Sequence, residues 1–212
     1  LEVSWQEIIF AFVGGLGLFL FGINTMSDGL QSVAGDRMRS ILEKGTRSPF
    51  RGVLTGILVT GLIQSSSATT VLTVGLVNAE LLTLRQAIGV IMGANIGTTV
   101  TAYLIGFNLK DYALPILGLG AIIYLFAKQK KTQTIGKAIF GFGVLFFGLS
   151  IMGDGMKPLK DLSVFADFMV RIDNNALIGV VIGTVFTGIV QSSSATIGVL
   201  QELVNQGAVT YS

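Results

Sequence analysis

Charged residues fall in short clusters along this chain, and long uncharged runs separate them. Gly52–Ala79 and Asn174–Gln201 hold 28 residues each, Gln86–Leu109 holds 24 and Ile8–Ser27 holds 20. About 20 apolar residues of helix cross a bilayer, so several segments qualify as spans. Ile8–Ser27 reads as the first, with Gly14, Gly15, Gly17 and Gly22 letting a neighbouring helix come close. Asp36–Arg51 carries five arginines and lysines and reads as a surface loop with a short helix. Gly52–Ala79 is interrupted at its centre by Gln64-Ser65-Ser66-Ser67, four polar residues that a lone spanning helix would expose to hydrocarbon. Each flanking arm is about 12 residues, roughly 18 Å of helix, which reaches only half-depth. A re-entrant hairpin with the serines at its tip accounts for both features. Gln86–Leu109 reads as a spanning helix unwound locally at Asn95-Ile96-Gly97-Thr98-Thr99. Tyr112–Ala127 is a short plain span, Lys128, Lys130 and Lys131 form a basic loop, and Ile135–Gly153 opens the next span.

The pattern is written twice. Thr60-Gly61-Leu62-Ile63-Gln64-Ser65-Ser66-Ser67-Ala68-Thr69 returns as Thr187-Gly188-Ile189-Val190-Gln191-Ser192-Ser193-Ser194-Ala195-Thr196, with aliphatic swaps alone. Gly52 and Gly56 match Gly179 and Gly183 at the same offset of 127. At an offset of 126, Gly15, Gly17, Gly22, Met26, Asp28 and Gly29 match Gly141, Gly143, Gly148, Met152, Asp154 and Gly155. Residues 1–130 thus form a first repeat and 131–212 a second that is incomplete at its C-terminal end. The counterpart of Gly93-Ala94-Asn95 would start near position 220, so a downstream segment or another copy of the chain is expected to supply it. The opening at Leu1, without a signal-peptide pattern, likewise suggests a trimmed piece.

If Gly52–Ala79 is re-entrant, three spans separate the starts of the two copies, and an odd number turns the second upside down. Ten basic residues (Arg37 through Arg51, Arg85, Lys128 through Lys137) then share one side against four (Lys110, Lys157, Lys160, Arg171), which makes the richer side cytoplasmic. A fully spanning Gly52–Ala79 divides the same fourteen as nine and five.

Composition narrows the chemistry. The chain is 51% hydrophobic and 12% charged, against roughly 25% charged in soluble domains. It has no Cys and no His, which excludes disulfides, thiolate nucleophiles, thiolate or imidazole metal sites and a histidine proton shuttle. A net charge of +2, with basic residues set between apolar runs, argues against nucleic acid.

Inverted repeats with discontinuous helices belong to secondary transporters, which expose one midplane site alternately to each side. If each Gln-Ser-Ser-Ser opens the second arm of a hairpin, backbone N–H groups and the positive end of the helix dipole point to the bilayer centre. Serine hydroxyls add donors there, so Ser65, Ser66, Ser67, Ser192, Ser193 and Ser194 are candidates to bind an anion. Carbonyl and hydroxyl oxygens, with Gln64 and Gln191 first among them, suit sodium. No Arg or Lys lies within twelve residues of either glutamine, and a bare multivalent anion at mid-membrane is very costly. Co-bound cations offset that cost, a physical reason to couple the anion to sodium. The local sequence offers no carboxylate or imidazole for proton coupling.

The paired Gln-Ser-Ser-Ser-Ala-Thr motifs, together with Ile91-Met92-Gly93-Ala94-Asn95-Ile96-Gly97-Thr98-Thr99, resemble the sodium-dependent inorganic phosphate cotransporters, the type II Na/Pi family and its bacterial relatives. The resemblance covers nearly the whole chain. It implies an all-α polytopic membrane protein, an inverted repeat with two re-entrant helical hairpins and a broken transmembrane helix. It also implies that both serine motifs line the phosphate and sodium sites, with Asn95, Thr98 and Thr99 in the sodium region. Thr60, Thr69, Thr187 and Thr196 complete the sodium candidates. No cofactor is expected beyond sodium as coupling ion. The expected partners are phosphate, sodium and the lipid bilayer, a homo-oligomer being compatible, and the expected place is the plasma membrane, multi-pass.

Plainer readings apply to other positions. Asp28 and Asp154 precede glycine and are expected to end their helices; Gly52, Gly56, Gly179 and Gly183 are packing residues, and Phe140, Phe142, Phe146 and Phe147 are core or lipid-facing. An intramembrane serine hydrolase built on Ser66 or Ser193 lacks a base, so no enzyme is expected. A sodium-independent anion channel and a non-transporting membrane scaffold are the rivals to a symporter. For a re-entrant hairpin, single cysteines placed near Gly52 and Ala79 should react with a membrane-impermeant thiol reagent from the same side; labelling from opposite sides would refute the inverted topology.

Overall fold

Long apolar runs can satisfy their own backbone groups only as helix, and every regular element among the described residues is helical. The structure is a computed structural model that describes residues 5–107, 109–162, 175–207 and 209; Arg171 of the charge pattern lies outside them. In chain order the helices are α1 (Trp5–Gly45), α2 (Pro49–Ile63), α3 (Ser66–Asn78), α4 (Leu84–Gly97), α5 (Thr99–Gly106), α6 (Ala113–Phe126), α7 (Lys130–Met156), α8 (Ala176–Val190) and α9 (Ser193–Asn205). Turns of 3₁₀ helix, Lys110–Tyr112 and Lys157–Asp161, precede α6 and follow α7. Among the described residues, three segments are long and apolar enough to cross a bilayer: Trp5–Gly35, Leu84–Gly106 and Lys130–Leu159. Large apolar side chains such as Phe10, Phe21 and Met92 stand exposed on them, as suits contact with lipid.

Two expectations for the first 45 residues need correction. The helix does not end at Asp28-Gly29 but runs on to Gly45: Lys137 Nζ sits 2.9 Å from the exposed Asp28 Oδ2, and Gly29 lies against the backbone of Ala138. Nor is 36–45 a loop. The helix bends at Gly35, whose φ of 43° suits glycine alone, and then continues because Leu42 packs into a core with Met38 and Ile41. The break expected at Asn95–Thr99 is confined to Thr98, which keeps helical dihedrals; the Thr101 N–H bonds back to the Thr98 carbonyl at 3.1 Å, a locally tightened turn.

The chain forms two compact units, divided by packing rather than by repeat. The unit holding Gln64 comprises Asn24–Leu104 and Gly118–Gly141; the unit holding Gln191 comprises Leu1–Ile23, Ile105–Leu117 and Phe142–Ser212.

In the Gln64 unit, α2 and α4 lie side by side and run the same way. Gly52 faces the Gln86 carbonyl, Gly56 faces Val90 and Ala94, and Gly97 faces Ile57 and Gly61. Glycine on both helices lets backbone meet backbone, the small-residue seam typical of helices that associate without a hydrophobic driving force. Helix α3 runs from the end of α2 back toward the start of α4, to which a short link through Ala79–Thr83 joins it. That start is fixed by a capping box between Thr83 and Gln86, and Gln86 Nε2 also donates to the Thr46 carbonyl at 2.6 Å. Val59, Ile63, Leu76, Leu82 and Val90 close the core beneath the three helices.

In the Gln191 unit, the first half of α1 packs antiparallel against the end of α7. Ala11 meets Gly155, Gly15 meets Met152 and Gly148, and Phe19 meets Gly148. Phe146 is fully buried there, with Phe142 edge-on at 5.0 Å between ring centroids. Helix α9 rests on this pair through Gly198, which faces Phe19. Helix α8 buries none of its residues, whereas α2, its counterpart in the first copy, buries six.

A methyl group added at Gly56 or Gly93 would press on the carbonyl of Val90 or Val53, whereas Gly118 has open space. We therefore expect Gly56→Ala and Gly93→Ala each to destabilise the protein by about 1–3 kcal/mol, the usual cost of overpacking. Gly118→Ala should be neutral; equal melting temperatures for all three in detergent would argue against the seam.

Candidate functional site

The Gln64 and Gln191 motifs adopt the same local conformation. Gln64 ends α2 in the left-handed region at φ 57° and ψ 29°, and Gln191 ends α8 at φ 57° and ψ 24°. For a residue with a side chain this conformation costs about 1–2 kcal/mol, so local bonds must hold it. The N–H of each glutamine donates to the threonine carbonyl four residues back, both at 2.7 Å, and each Nε2 donates to the carbonyl of Gly61 or Gly188.

The next residue starts the following helix. Ser65 caps α3, its Oγ accepting from the Ala68 N–H at 3.2 Å, and Ser192 caps α9 through Ala195 at the same distance. Both hydroxyls keep their own proton as a donor. The amides of Ser66 and Ser67, and of Ser193 and Ser194, belong to first turns and have no carbonyl one turn back. Each tip thus turns a helix start, with hydroxyls and amides, outward from the break.

A threonine clasp lies behind each tip. Thr60 Oγ1 donates to Thr69 Oγ1 at 2.9 Å, and Thr69 Oγ1 in turn to the Ser65 carbonyl at 3.0 Å. In the second copy Thr187 and Thr196 are 2.7 Å apart, and Thr196 donates to the Ser192 carbonyl at 3.1 Å. Thr60 and Thr69 are completely buried. These hydroxyls join arm to arm.

The remaining predicted residues divide. Thr98 and Thr99 bond back to the carbonyls of Ala94 and Ile96 at 3.1 and 2.7 Å, and Asn95 and Thr99 are exposed. The hydroxyl that reaches the first tip is Thr101, buried, donating to Gln64 Oε1 at 2.8 Å. Ser27 Oγ donates to the Ile63 carbonyl at 2.9 Å and itself accepts from Gln31 Nε2 at 2.9 Å. The sequence reading missed Ser27, Gln31 and Thr101; Thr101 stands two residues past the singled-out Thr98-Thr99 pair, close enough to have joined that cluster. It also passed over Glu202, a buried carboxylate eleven residues past Gln191 on the second serine arm.

The second tip borders a cavity of about 740 Å³ lined by Gly183, Thr184, Thr187, Gln191, Ser193 and Thr196, with uncharged residues throughout. A neighbouring apolar cavity of about 690 Å³ lies among Met156, Leu159, Gly179, Ile182, Leu200 and Leu203. The first of these, though its lining is mostly apolar, offers hydroxyls, an amide side chain and a helix start to a small oxyanion, and oxygen atoms to a hard monovalent cation. Among the described residues no cluster of carboxylates could hold a multivalent metal.

The family of Na+/Pi-cotransporters matches this chain twice, over residues 18–154 and 152–212. Uncharacterized protein YqeW of Bacillus subtilis (strain 168) is 31% identical over 202 residues, which cover 95% of this chain and 66% of that protein. The protein named "Putative inorganic phosphate export protein YjbB" of Escherichia coli (strain K12) is 26% identical over 199 residues, 94% of this chain and 37% of its own length. Sodium-dependent phosphate transport protein 2B of Homo sapiens is 40% identical over 91 residues, 42% of this chain and 13% of that protein. The chain therefore spans about two thirds of the first of these relatives and less of the others. No solved structure matches it.

Thr101→Val removes the donor to Gln64 Oε1 and should cost about 1 kcal/mol. It should lower the melting temperature in detergent, while Thr99→Val, whose hydroxyl bonds only within its own turn, should not; equal effects would remove Thr101 from the support of the tip.

Proposed function

This chain belongs to the Na+/Pi-cotransporter family, and from that membership we propose that it forms the core of a secondary transporter that moves inorganic phosphate across the plasma membrane together with sodium. The observation that carries the proposal is the duplicated tip: a left-handed glutamine followed by a serine-capped helix start, in one geometry in both copies. Phosphate would be bound by the first-turn amides and by Ser65, Ser66, Ser67, Ser192, Ser193 and Ser194. Helix dipoles and neutral donors serve here in place of lysine or arginine. Sodium would take oxygens from Gln64, Gln191 and the neighbouring threonines, offsetting the anion's charge. As no base adjoins the serines, the chemistry is binding and release, with no bond broken.

Two features support re-entrant hairpins. Helices α2 and α3 are 15 and 13 residues long, about 22 and 20 Å, too short to cross about 30 Å of hydrocarbon. Because α4 runs parallel to α2, α3 must bring the chain back to the side from which α2 started. In the second copy, residues from the start of α8 and the end of α9 line one cavity with the end of α7.

An inverted repeat is supported by the contacts of its first helices. Gly29 and Gly155 are repeat counterparts; Gly29 packs on Ala138, and Gly155 packs on Ala11, one position from the residue that Ala138 matches. Each unit, taken by itself, thus carries a glycine-on-alanine contact between counterpart segments, with the roles of the first and second copy exchanged. Alternating access then follows as exchange between two pseudo-equivalent arrangements. The name of the Escherichia coli relative includes export, so net direction here would be set by the gradients rather than by the site.

The test is radiolabelled phosphate uptake by the full-length protein in proteoliposomes, with and without a sodium gradient. Uptake should require sodium, and Ser66→Ala and Ser193→Ala should each raise the phosphate KM at least about tenfold, since a hydrogen bond to a charged group is worth about 1.5–3 kcal/mol. Flux that ignores sodium would mean a channel; absence of flux and of phosphate binding would mean a scaffold.

A further inference from the structure

The two serine arms are anchored by different physics. In the first copy the far end of α3 is held by apolar packing: Leu76 and Leu82 join the buried cluster with Val90 of α4, and the Leu81 and Leu82 N–H groups both bond to the Leu76 carbonyl. In the second copy the far end of α9 carries Glu202, whose counterpart in α3 is Gly75. Glu202 is 1% exposed. Its Oε2 lies 2.5 Å from Lys110 Nζ in the 3₁₀ turn before α6, and its Oε1 accepts from Gln206 Nε2 at 2.7 Å. The carboxylate rests on the backbone of Gly153 in α7, where a Cβ would collide with it. Lys157, a nearby cation, is engaged by Asp154 at 2.7 Å.

A buried ion pair is weak as a source of stability, because desolvation consumes most of its attraction, but it is directional and hard to break one partner at a time. This one joins three elements of the Gln191 unit: α9, the end of α7, and the turn leading into α6. Glu202 stands nine residues, about 14 Å of helix, beyond Ser193. It is too far to touch a ligand at the tip, yet on the same rigid arm. We propose that Lys110 and Glu202 are positioning residues for transport: their ion pair fixes where α9 sits and so where the amides and hydroxyls of Ser193 and Ser194 point. The proposal rests on the phosphate reading above only for its transport readout.

The experiment uses the full-length protein with Ser193→Cys as a reporter of tip exposure, and separately the unmodified tip for phosphate uptake. Glu202→Gln and Lys110→Met should each change the thiol-labelling rate of Ser193→Cys at least threefold and raise the phosphate KM more than they lower Vmax. The exchange Lys110→Glu with Glu202→Lys should restore both. If either single variant fails to fold, the combined Lys110→Met and Glu202→Gln protein leaves no lone buried charge; it should fold and still show altered labelling. Lowered melting temperatures with labelling and KM unchanged would make the pair merely structural and overturn the proposal. If the parent protein takes up no phosphate, the transport reading falls, and the labelling rates alone decide the role of the pair.

Discussion

A helix that stops inside an apolar layer leaves carbonyls without donors and the next helix leaves amides without acceptors. The Gln-Ser step meets this constraint within a few residues. The left-handed glutamine folds its own N–H and side-chain amide back onto the last turn, while the serine that follows covers one amide of the next. What stays open is a small set of first-turn amides and hydroxyls. The features that make the break tolerable are therefore also those that make it suited to an anion. An extended residue in place of the left-handed glutamine would not reverse the chain.

Around that local solution the protein places supports that differ between copies. The first tip is held from three directions: the glycine seam of α2 on α4, Ser27 on the Ile63 carbonyl, and Thr101 on the Gln64 side chain. The second tip shares the internal bonds, but Gln191 is exposed and α8 has no buried residue. Its arm α9 is tied down from the far end by charge. Two tips of one local conformation thus stand on unequal supports.

The same logic explains the glycine use. Lipid tails offer no hydrophobic penalty to drive helices together, so attraction must come from close backbone contact. Gly52, Gly56, Gly89, Gly93 and Gly97 provide it between α2 and α4, and Gly15 and Gly148 between α1 and α7. The rigid seam behind the first tip fixes the tip's direction more firmly than flexible side chains could.

By itself the sequence determined whatever depends on neighbours within a turn or two: helical membrane-spanning segments, a duplicated unit, and a break at each Gln-Ser-Ser-Ser that starts a new helix. These follow from apolar length and from bonds between residues three or four apart, which any copy of the motif will make. The tertiary structure alone decided which polar groups meet across long separations. Thr101 rather than Thr98 or Thr99 reaches Gln64 from 37 residues away, and Ser27 reaches Ile63 from 36. Asp28-Gly29 continues a helix instead of ending it, with Lys137 and Ala138 beside it. Glu202 meets Lys110 from 92 residues away. A hydroxyl or carboxylate carries no mark of its distant partner: which one it meets is fixed by how helices stack, and stacking here follows the glycine seams.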